Sequence, residues 1–533
     1  MVEKTVQSEP NENRLTEDAE EDYFNGFRTT SLRKPSDAAV IFGGQVYSYS
    51  KLLSFVESFS SGIKKLFSIK KGDKVLITLP PGLPYTIALL SMSRIGTVAI
   101  PLEPYLSEKS FLEVLSRVSP SGVIAPEGFL NHYGKNISSE IFKIGVSSIE
   151  FLTPRNRKEF GIRSPEIMNQ RARGDSNIFE SLCYAEVTGQ ETIDPITDIF
   201  IERVVNFKDK KSGIARFTYF NIMNAIKNEE NLFKNSNGKK KFLIECETYS
   251  TPAIVTSILY PLLNGNCIIF DSLESHNGIA KLVKWFQPEV IILENYVKEN
   301  IVKLMKYARK YKPEHLVVIQ SHRNNAMISE IFSRLKTRVT RIKFNERIST
   351  PISALESVDI SSQPLSDGAL FYGLTGEPIG ANSEANQIAI SGKQVCGFLQ
   401  TMEVNEEVPQ DQNRLMIHGK LNSDRIEFEE EIFESDGSEI YTNDLSTEVE
   451  SQLILEVKLK GAVLITNEKG IERSNILLIE NGTSKIAKSG ISDILEFWFP
   501  RFIRESEIRI VESIPRSMSG TPILELIWKL LKN

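Results

Sequence analysis

The stretch KGDKVLITLPPGLPYTIALLSMSRIGTVAIP, residues 71–101, decides the fold class. Lys71-Gly72-Asp73 reads as a turn, and Val75 to Leu79 is a short apolar run of the kind that forms a buried strand. Pro84 to Ile95 reads as a helix with proline in its first turn, and Gly96 to Pro101 as a second strand. Strand, helix, strand in thirty residues is a βαβ unit, so the sheet it belongs to is parallel.

The same rhythm extends both ways. Upstream, Ala38 to Phe42 and Val46 to Tyr49 are strands around a Gly43-Gly44 turn, and Leu52, Leu53, Val56, Phe59 and Ile63 carry helical spacing. Downstream, strands are predicted at Phe242–Glu245, Cys267–Phe270, Val290–Leu293, Leu316–Ile319 and Thr340–Phe344. The helices between them are Pro252–Leu263, Gly278–Phe286, Lys298–Tyr311 and Ala326–Leu335. The chain turns β-rich from Gly368 to Leu399, then α+β from Leu445, with helices expected at Leu445–Leu455 and Pro522–Leu531. Residues 1–22 are polar and acidic and read as a disordered tail.

Length and charge narrow the function. At 533 residues the chain has room for several structural units and a large core. Lys plus Arg is 63 against 69 Asp plus Glu, a net charge of −6, which argues against a nucleic-acid-coating protein. Cys183, Cys246, Cys267 and Cys396 form no CxxC pair, so each is read as a small core residue in a reducing compartment. The first twenty residues lack a secretory apolar segment, and the longest apolar run, Ile254–Phe270, is broken by Pro261 and Asn264-Gly265-Asn266. The expectation is a cytoplasmic protein with no membrane span. His315 and His322 have no convincing companion ligands, and Lys298–Lys312 is read as an amphipathic basic surface helix.

Several stretches in order resemble the adenylate-forming superfamily: acyl-CoA synthetases, luciferases and peptide-synthetase adenylation domains. They are Tyr47 to Leu53, Lys71 to Val75, Arg94 to Leu102, Gly122 to Ala125, Tyr260 to Asn266, Gln387 to Leu399 and Ile514 to Gly520. The resemblance implies an α/β large domain of tandem layered subdomains with a β-rich module, at 23–425, and a small α+β C-terminal domain at 426–533. It also implies four chemical stations, each of which can be checked against the residues.

The phosphate-wrapping loop would lie at Val204-Val205-Asn206-Phe207-Lys208-Asp209-Lys210-Lys211-Ser212-Gly213, where one glycine remains. Without glycines the loop loses the positive-φ freedom that folds backbone N–H groups around phosphate. Lys208, Lys210 and Lys211 could still attract a polyanion. The YGxTE turn, whose acid holds Mg²⁺, belongs after Thr340–Phe344, where Asn345-Glu346-Arg347 stands instead. Tyr372-Gly373-Leu374-Thr375-Gly376-Glu377 looks like it, with the acid one place late, but lies close to Gln387 for the family's order. The ribose-binding aspartate is replaced in His418-Gly419-Lys420, and a lysine cannot accept from two hydroxyls. Thr521 stands where the family has its catalytic lysine. One such electrostatic contact is worth about 10²–10³ in rate, and losses within one site do not simply multiply.

The leading expectation is therefore a pseudoenzyme: an acyl-CoA synthetase-like protein degenerate for ATP-dependent adenylation and kept for binding an acyl or CoA-like ligand, or for scaffolding or regulation. One alternative is a working AMP-forming acyl-CoA ligase with displaced motifs, using ATP and Mg²⁺ with Tyr372, Thr375 and Glu377. The other is a protein-interaction module using the acidic tail and the basic helix.

Overall fold

The structure is a computed structural model. It describes residues 22–103, 108–147, 151–156, 178–206, 212–233, 239–246, 248–270, 278–294, 311, 313–320, 337–344, 348–351, 353–357, 367–371, 374–378, 387–391, 393, 396, 398–401, 407–409, 414–422, 425–428, 461–469, 472–480, 506–511, 513–514 and 527. The tail expected at 1–22 lies outside these apart from Asp22, as do the Lys298–Lys312 helix apart from Tyr311 and the helices at Ala326–Leu335 and Leu445–Leu455. Only Ile527 is described of the helix expected at Pro522–Leu531, and it is helical.

The chain opens on helix α1 (Tyr23–Arg33), capped by the Asp22 carboxylate, which accepts from the Asn25 N–H at 3.0 Å. Strands β1 (Ala38–Phe42) and β2 (Gln45–Ser48) form a hairpin, and helix α2 (Tyr49–Phe67) follows it. Then come β3 (Lys74–Ile77), α3 (Leu83–Ile95), β4 (Val98–Pro101), α4 (Glu108–Val118), β5 (Gly122–Pro126), α5 (Glu127–Tyr133), β6 (Phe142–Val146) and α6 (Ile178–Leu182). The βαβ unit read at residues 71–101 is thus present, with Val75 in parallel register with Ala99. Gly96 ends α3 in the left-handed region at φ 75, where a side chain would be strained.

Two further strands, β7 (Ile199–Asn206) and β8 (Ser212–Thr218), pair antiparallel from Ile199↔Thr218 to Asn206↔Ser212. Half of the stretch expected as a phosphate loop is therefore sheet, and the connection shortens to residues 207–211. Helix α7 (Tyr219–Phe233) leads to β9 (Lys241–Glu245). Helix α8 is composite: an α turn (Thr251–Ile254), a π turn (Val255–Leu259) and a closing α turn (Tyr260–Leu263). Strand β10 (Cys267–Phe270), helix α9 (Gly278–Phe286) and strands β11 (Val290–Glu294), β12 (His315–Gln320) and β13 (Arg338–Lys343) complete the parallel part.

The β-rich region follows as β14 (Ser353–Ser357), β15 (Asp367–Leu370), β16 (Thr375–Pro378), β17 (Gln387–Ser391), β18 (Phe398–Thr401), β19 (Glu407–Pro409), β20 (Arg414–Asn422) and β21 (Arg425–Phe428). An eight-stranded sheet runs β19-β18-β8-β7-β4-β3-β5-β6, and a thirteen-stranded sheet runs β16-β17-β20-β21-β15-β14-β13-β12-β11-β9-β10-β1-β2. The two layers are not simply consecutive along the chain. Strand β1 pairs parallel with β10, Val40 with Ile268, so the first hairpin belongs to the later layer. The last strands, β22 (Gly461–Lys469), β23 (Glu472–Glu480) and β24 (Ser506–Val511), form a sheet of their own.

Helix α3 explains how the layers meet. Every residue from Leu83 to Ile95 is buried, including Arg94, whose guanidinium donates to Ser60 Oγ at 2.9 Å. It packs on β3 and β4 of one sheet and on β1 of the other. Burying Leu89, Leu90 and Met92 there stabilises by about 1.5–3 kcal/mol each. Near the chain's start, Tyr23 and Thr30 donate hydroxyl hydrogens to the carbonyls of Leu259 and Leu263 at 3.0 and 2.7 Å, and Tyr49 donates to that of Asn266 at 2.6 Å. These hydroxyl bonds hold α1 and α2 against the C-terminal end of α8 and the turn after it.

All four cysteines are buried. Among the described residues no helix is long and apolar enough to cross a membrane.

Candidate functional site

In open α/β sheets, ligands bind outside the carboxyl ends of parallel strands. Strands β9, β11, β12 and β13 are mutually parallel, so their ends share one edge of the large sheet. Behind β9 come Cys246, Thr248, Tyr249 and Thr251, all buried. The Cys246 Sγ and Ser257 Oγ lie 3.4 Å apart, and Ser250 caps α8 by accepting from Ala253 N–H. The Thr248 carbonyl accepts from the Tyr85 hydroxyl of α3 at 2.6 Å, which ties this loop to the other layer. The side-chain hydroxyls of Thr248 and Thr251 are buried and have no partner among the described residues.

Behind β13, Ile348, Ser349 and Thr350 are fully buried. Ser349 Oγ donates to the Asn221 carbonyl at 3.2 Å. The Asn221 side chain also joins Thr218 N–H (2.9 Å) to the Lys393 carbonyl (2.8 Å). One asparagine at the start of α7 therefore holds three segments: the end of β8, the turn after β13 and the turn after β17. The Thr350 hydroxyl, like those of Thr248 and Thr251, has no partner among the described residues. A buried hydroxyl without a hydrogen bond costs about 1–3 kcal/mol, so three at one sheet edge suit a polar ligand.

Thr350 was missed by sequence reading, though a signal for it existed. Laid on Y-G-x-T-E, the stretch Arg347-Ile348-Ser349-Thr350-Pro351 keeps the threonine and puts proline where the acid would be. The sequence-derived candidates lie elsewhere. Thr375 and Glu377 stand on β16, an end strand of the large sheet, separated from β13 by β17, β20, β21, β15 and β14. Gly419 and Lys420 are on β20, paired with Phe428 and Glu427 of β21. Lys208, Lys210, Lys211, Tyr372 and Thr521 lie outside the described residues. His418, in register with Gln387, belongs to the same β20.

Elsewhere in the molecule, Glu202 of β7 is almost wholly buried between two cations, Lys74 Nζ at 2.8 Å and Arg216 Nε at 3.1 Å. It pins the first strands of the small layer to the β7–β8 hairpin. Buried Glu229 of α7 accepts from Thr256 Oγ in the π turn at 2.7 Å, and desolvation lifts its carboxyl to about 8. His315, buried at the opposite, amino edge of the parallel strands, shares a 2.8 Å hydrogen bond with Thr340 Oγ, and desolvation lowers its imidazole to about 3. Among the described residues no group of three His, Cys, Asp or Glu could hold a metal.

A long β7–β8 hairpin beside a parallel layer, a second parallel layer extended by antiparallel strands and a separate terminal sheet form one architecture. It matches O-succinylbenzoate coenzyme A synthetase (MenE) from Bacillus subtilis, in complex with AMP, with a TM-score of 0.64 over 94% of this chain and 97% of that one. This is the adenylate-forming fold. The sequence identity to MenE is 12%. Coronafacic acid ligase from Pectobacterium brasiliense is similar at a TM-score of 0.56 and 16% identity, over 96% of this chain and 98% of that one.

The family model "AMP-binding enzyme" matches residues 27–159, so the resemblance to the adenylate-forming superfamily holds in sequence over that segment. A long-chain-fatty-acid–CoA ligase of Haemophilus influenzae is 25% identical over 130 residues, 24% of this chain and 22% of the relative. Acyl-CoA synthetase ALT10 of Alternaria alternata is 34% identical over 101 residues, 18% of each chain. The chain thus spans about a fifth of the length of the curated relatives it matches. MenE has also been solved with ATP and a magnesium ion.

Proposed function

We propose that this protein uses an adenylate-forming scaffold to bind a carboxylic acid or acyl ligand at the carboxyl edge of β9–β13, and that it has lost ATP-dependent activation of that acid. The observation that carries this reading is the turn behind β13. It is ordered and buried, as a site wall should be, but ends in Thr350-Pro351 where a magnesium-holding carboxylate is needed. Hydroxyls at this edge can hold a carboxylate or thioester oxygen. They cannot neutralise a magnesium triphosphate, and the described residues do not fit that group. Lys420 in place of the ribose-binding acid and Thr521 in place of the lysine point the same way.

On this reading the protein works as an acyl or acid sensor, a carrier or a regulator of an active relative, in a soluble compartment. The test is calorimetric titration of purified protein with Mg·ATP and separately with AMP, followed by hydroxylamine trapping across a panel of carboxylic acids. No nucleotide heat up to millimolar concentration and no hydroxamate are expected, with retained binding of at least one acid. ATP-dependent hydroxamate formation abolished by Glu377→Ala would instead establish the displaced-motif ligase.

A further inference from the structure

Residues 184–192 leave helix α6 and run along α2 towards β7 without forming helix or strand. Both ends of this segment are buried: Leu182 and Cys183 precede it and Ile193 follows it. No residue from 184 to 192 is buried, and Tyr184 and Val187 are 63% and 49% exposed. Apolar burial therefore fixes the ends and contributes little in between.

Polar bonds hold the rest. Arg94 of α3 donates its Nη2 to the Thr188 carbonyl, and its Nη1 to Ser60 Oγ at 2.9 Å and Ser61 Oγ at 3.2 Å. Ser61 Oγ of α2 accepts from the Thr188 N–H at 2.9 Å. Further along, Gln190 Nε2 donates to Asn25 Oδ1 of α1 at 3.1 Å, Glu191 pairs with Lys64, and the Thr192 carbonyl accepts from Lys71 Nζ at 3.0 Å. Gly62 allows the close approach: a Cβ there would come within 2.7 Å of Leu182 Cδ2 and 3.0 Å of Ala185 Cβ. Glycine weakens a helix interior, so α2 gives up some helix stability to seat this segment.

The bonds are unequal. Asn25, Lys64 and Lys71 face water, and exposed pairs of that kind are individually weak. Arg94 is only 3% exposed, and bonds made by a buried charged group are the stronger kind. If the segment lifts, water can take the place of the Thr188 carbonyl on the guanidinium, so the charge is not stranded. A stretch with buried ends, an exposed middle and one strong fastening has the makings of a unit that opens by itself.

We propose that residues 184–192 are a releasable strap, latched by Arg94, which opens from α2 while the surrounding fold stays intact. Cys183 and Ile193 are its fixed ends. Closed, it covers Ser61 and Gly62; open, it leaves them and the Arg94 guanidinium facing solvent. This device stands apart from the acid-binding reading of the β9–β13 edge.

The test is digestion of the full native chain with Glu-C protease, which cuts after glutamate and finds Glu186 and Glu191 in the strap. Initial rates at each site are read by mass spectrometry. Slow cutting at Glu186 or Glu191 is expected in the wild type, unchanged by urea well below the unfolding midpoint, because a local opening exposes little surface. Arg94→Met and Ser61→Ala should each speed it roughly ten-fold or more, as loss of a bond to a charged group implies. Lys64→Met, which removes only an exposed pair, should change it by about three-fold at most. The nicked chain should stay in one piece on size exclusion, with Cys183 still closed to a thiol reagent. Ser61→Ala alters no charge and carries the comparison if Arg94→Met does not fold. No cutting in any of the proteins would overturn the proposal, since the segment is then a fixed part of the fold. Equal rates in wild type and both latch variants would overturn it too, because Arg94 then fastens nothing. So would cutting that rises steeply with urea or exposes Cys183, which marks global unfolding.

Discussion

The Tyr85 hydroxyl donates to the Thr248 carbonyl at 2.6 Å, joining the first turn of α3 to the loop behind β9. Tyr85 is wholly buried, and burial pushes its phenol well above the ordinary tyrosine range, so it remains a donor. Its ring meets that of Tyr249 edge to face at 6.3 Å. The segment that matches the AMP-binding family model therefore holds one wall of the candidate site. Tyr85→Phe keeps the ring and strands the Thr248 carbonyl, a loss of about 1–2 kcal/mol. The urea midpoint should fall accordingly, and acid binding should weaken with it. An unchanged midpoint would mean the bond contributes nothing to the fold.

Glu229 supplies a pH dependence of one sign. Desolvation is the largest influence on its carboxyl, opposed by the hydrogen bond from Thr256, and raises it from 4.5 to about 8. The folded state then holds a proton that the unfolded chain releases. Stability from this group is intact below about pH 4.5 and is lost as pH rises through the window to 8. Because the acid is fully buried, the loss reaches a few kcal/mol, at about 1.4 kcal/mol per pH unit. Glu229→Gln can still accept from Thr256 and should remove this decline. Urea midpoints at pH 5 and pH 8.5 measure it: the variant should gain on the wild type at the higher pH. Parallel curves would show that Glu229 does not hold the proton.

Local units were legible because their signals are local. Val75–Leu79, Pro84–Ile95 and Gly96–Pro101 announce a βαβ unit by apolar runs and a left-handed glycine, and Leu83–Ile95 and Val98–Pro101 are what forms. Pairings between distant segments were not legible. Nothing in Ala38–Phe42 says that it will lie beside Cys267–Phe270 instead of beside β3, because register over two hundred residues is decided by which buried faces meet. The π turn at Val255–Leu259 was read as ordinary helix, since its apolar residues fit either geometry. The candidate site divides in the same way. Motif losses at Lys420 and Thr521 are visible as letters, whereas Arg341 reads in sequence as one more strand residue. Only burial shows that its Nε and Nη1 find no acceptor among the described residues.

Glu202 is the electrostatic pin of the smaller layer. Its two oxygens take Lys74 at 2.8 Å and Arg216 at 3.1 Å, linking β3, β7 and β8. The carboxylate is almost wholly buried, while the two cations are about a quarter and a fifth exposed. Removing the shared acid therefore takes an ion-pair partner from two cations that water can partly reach, and the loss is about 2 kcal/mol, below that of a fully buried pair. Glu202→Gln should lower the urea midpoint by that much, and Lys74→Met by less, because Arg216 remains to pair the acid. Equal losses from both would mean that Lys74 carries the whole interaction.

His315 gives the opposite pH limb. Its Nε2 meets Thr340 Oγ at 2.8 Å, its Nδ1 is buried without a partner among the described residues, and its ring lies 5.7 Å from that of Phe233. Desolvation, then the positive charges of Arg338 and Lys240, lower the imidazole from 6.5 to about 3. The folded state refuses a proton that the unfolded chain accepts. Its contribution is complete above pH 6.5 and is lost as pH falls from there towards 3. Between pH 7.5 and pH 5 the loss is about 2 kcal/mol, from roughly 1.5 pH units below the unfolded value at about 1.4 kcal/mol each. Other groups titrate on the acid side too, so the readout is the difference between wild type and His315→Gln, which can keep a hydrogen bond to Thr340 but cannot charge. The variant should lose about 2 kcal/mol less than the wild type between those two pH values. If both proteins weaken equally on acidification, His315 is protonated in the folded state, and the buried neutral imidazole is wrong.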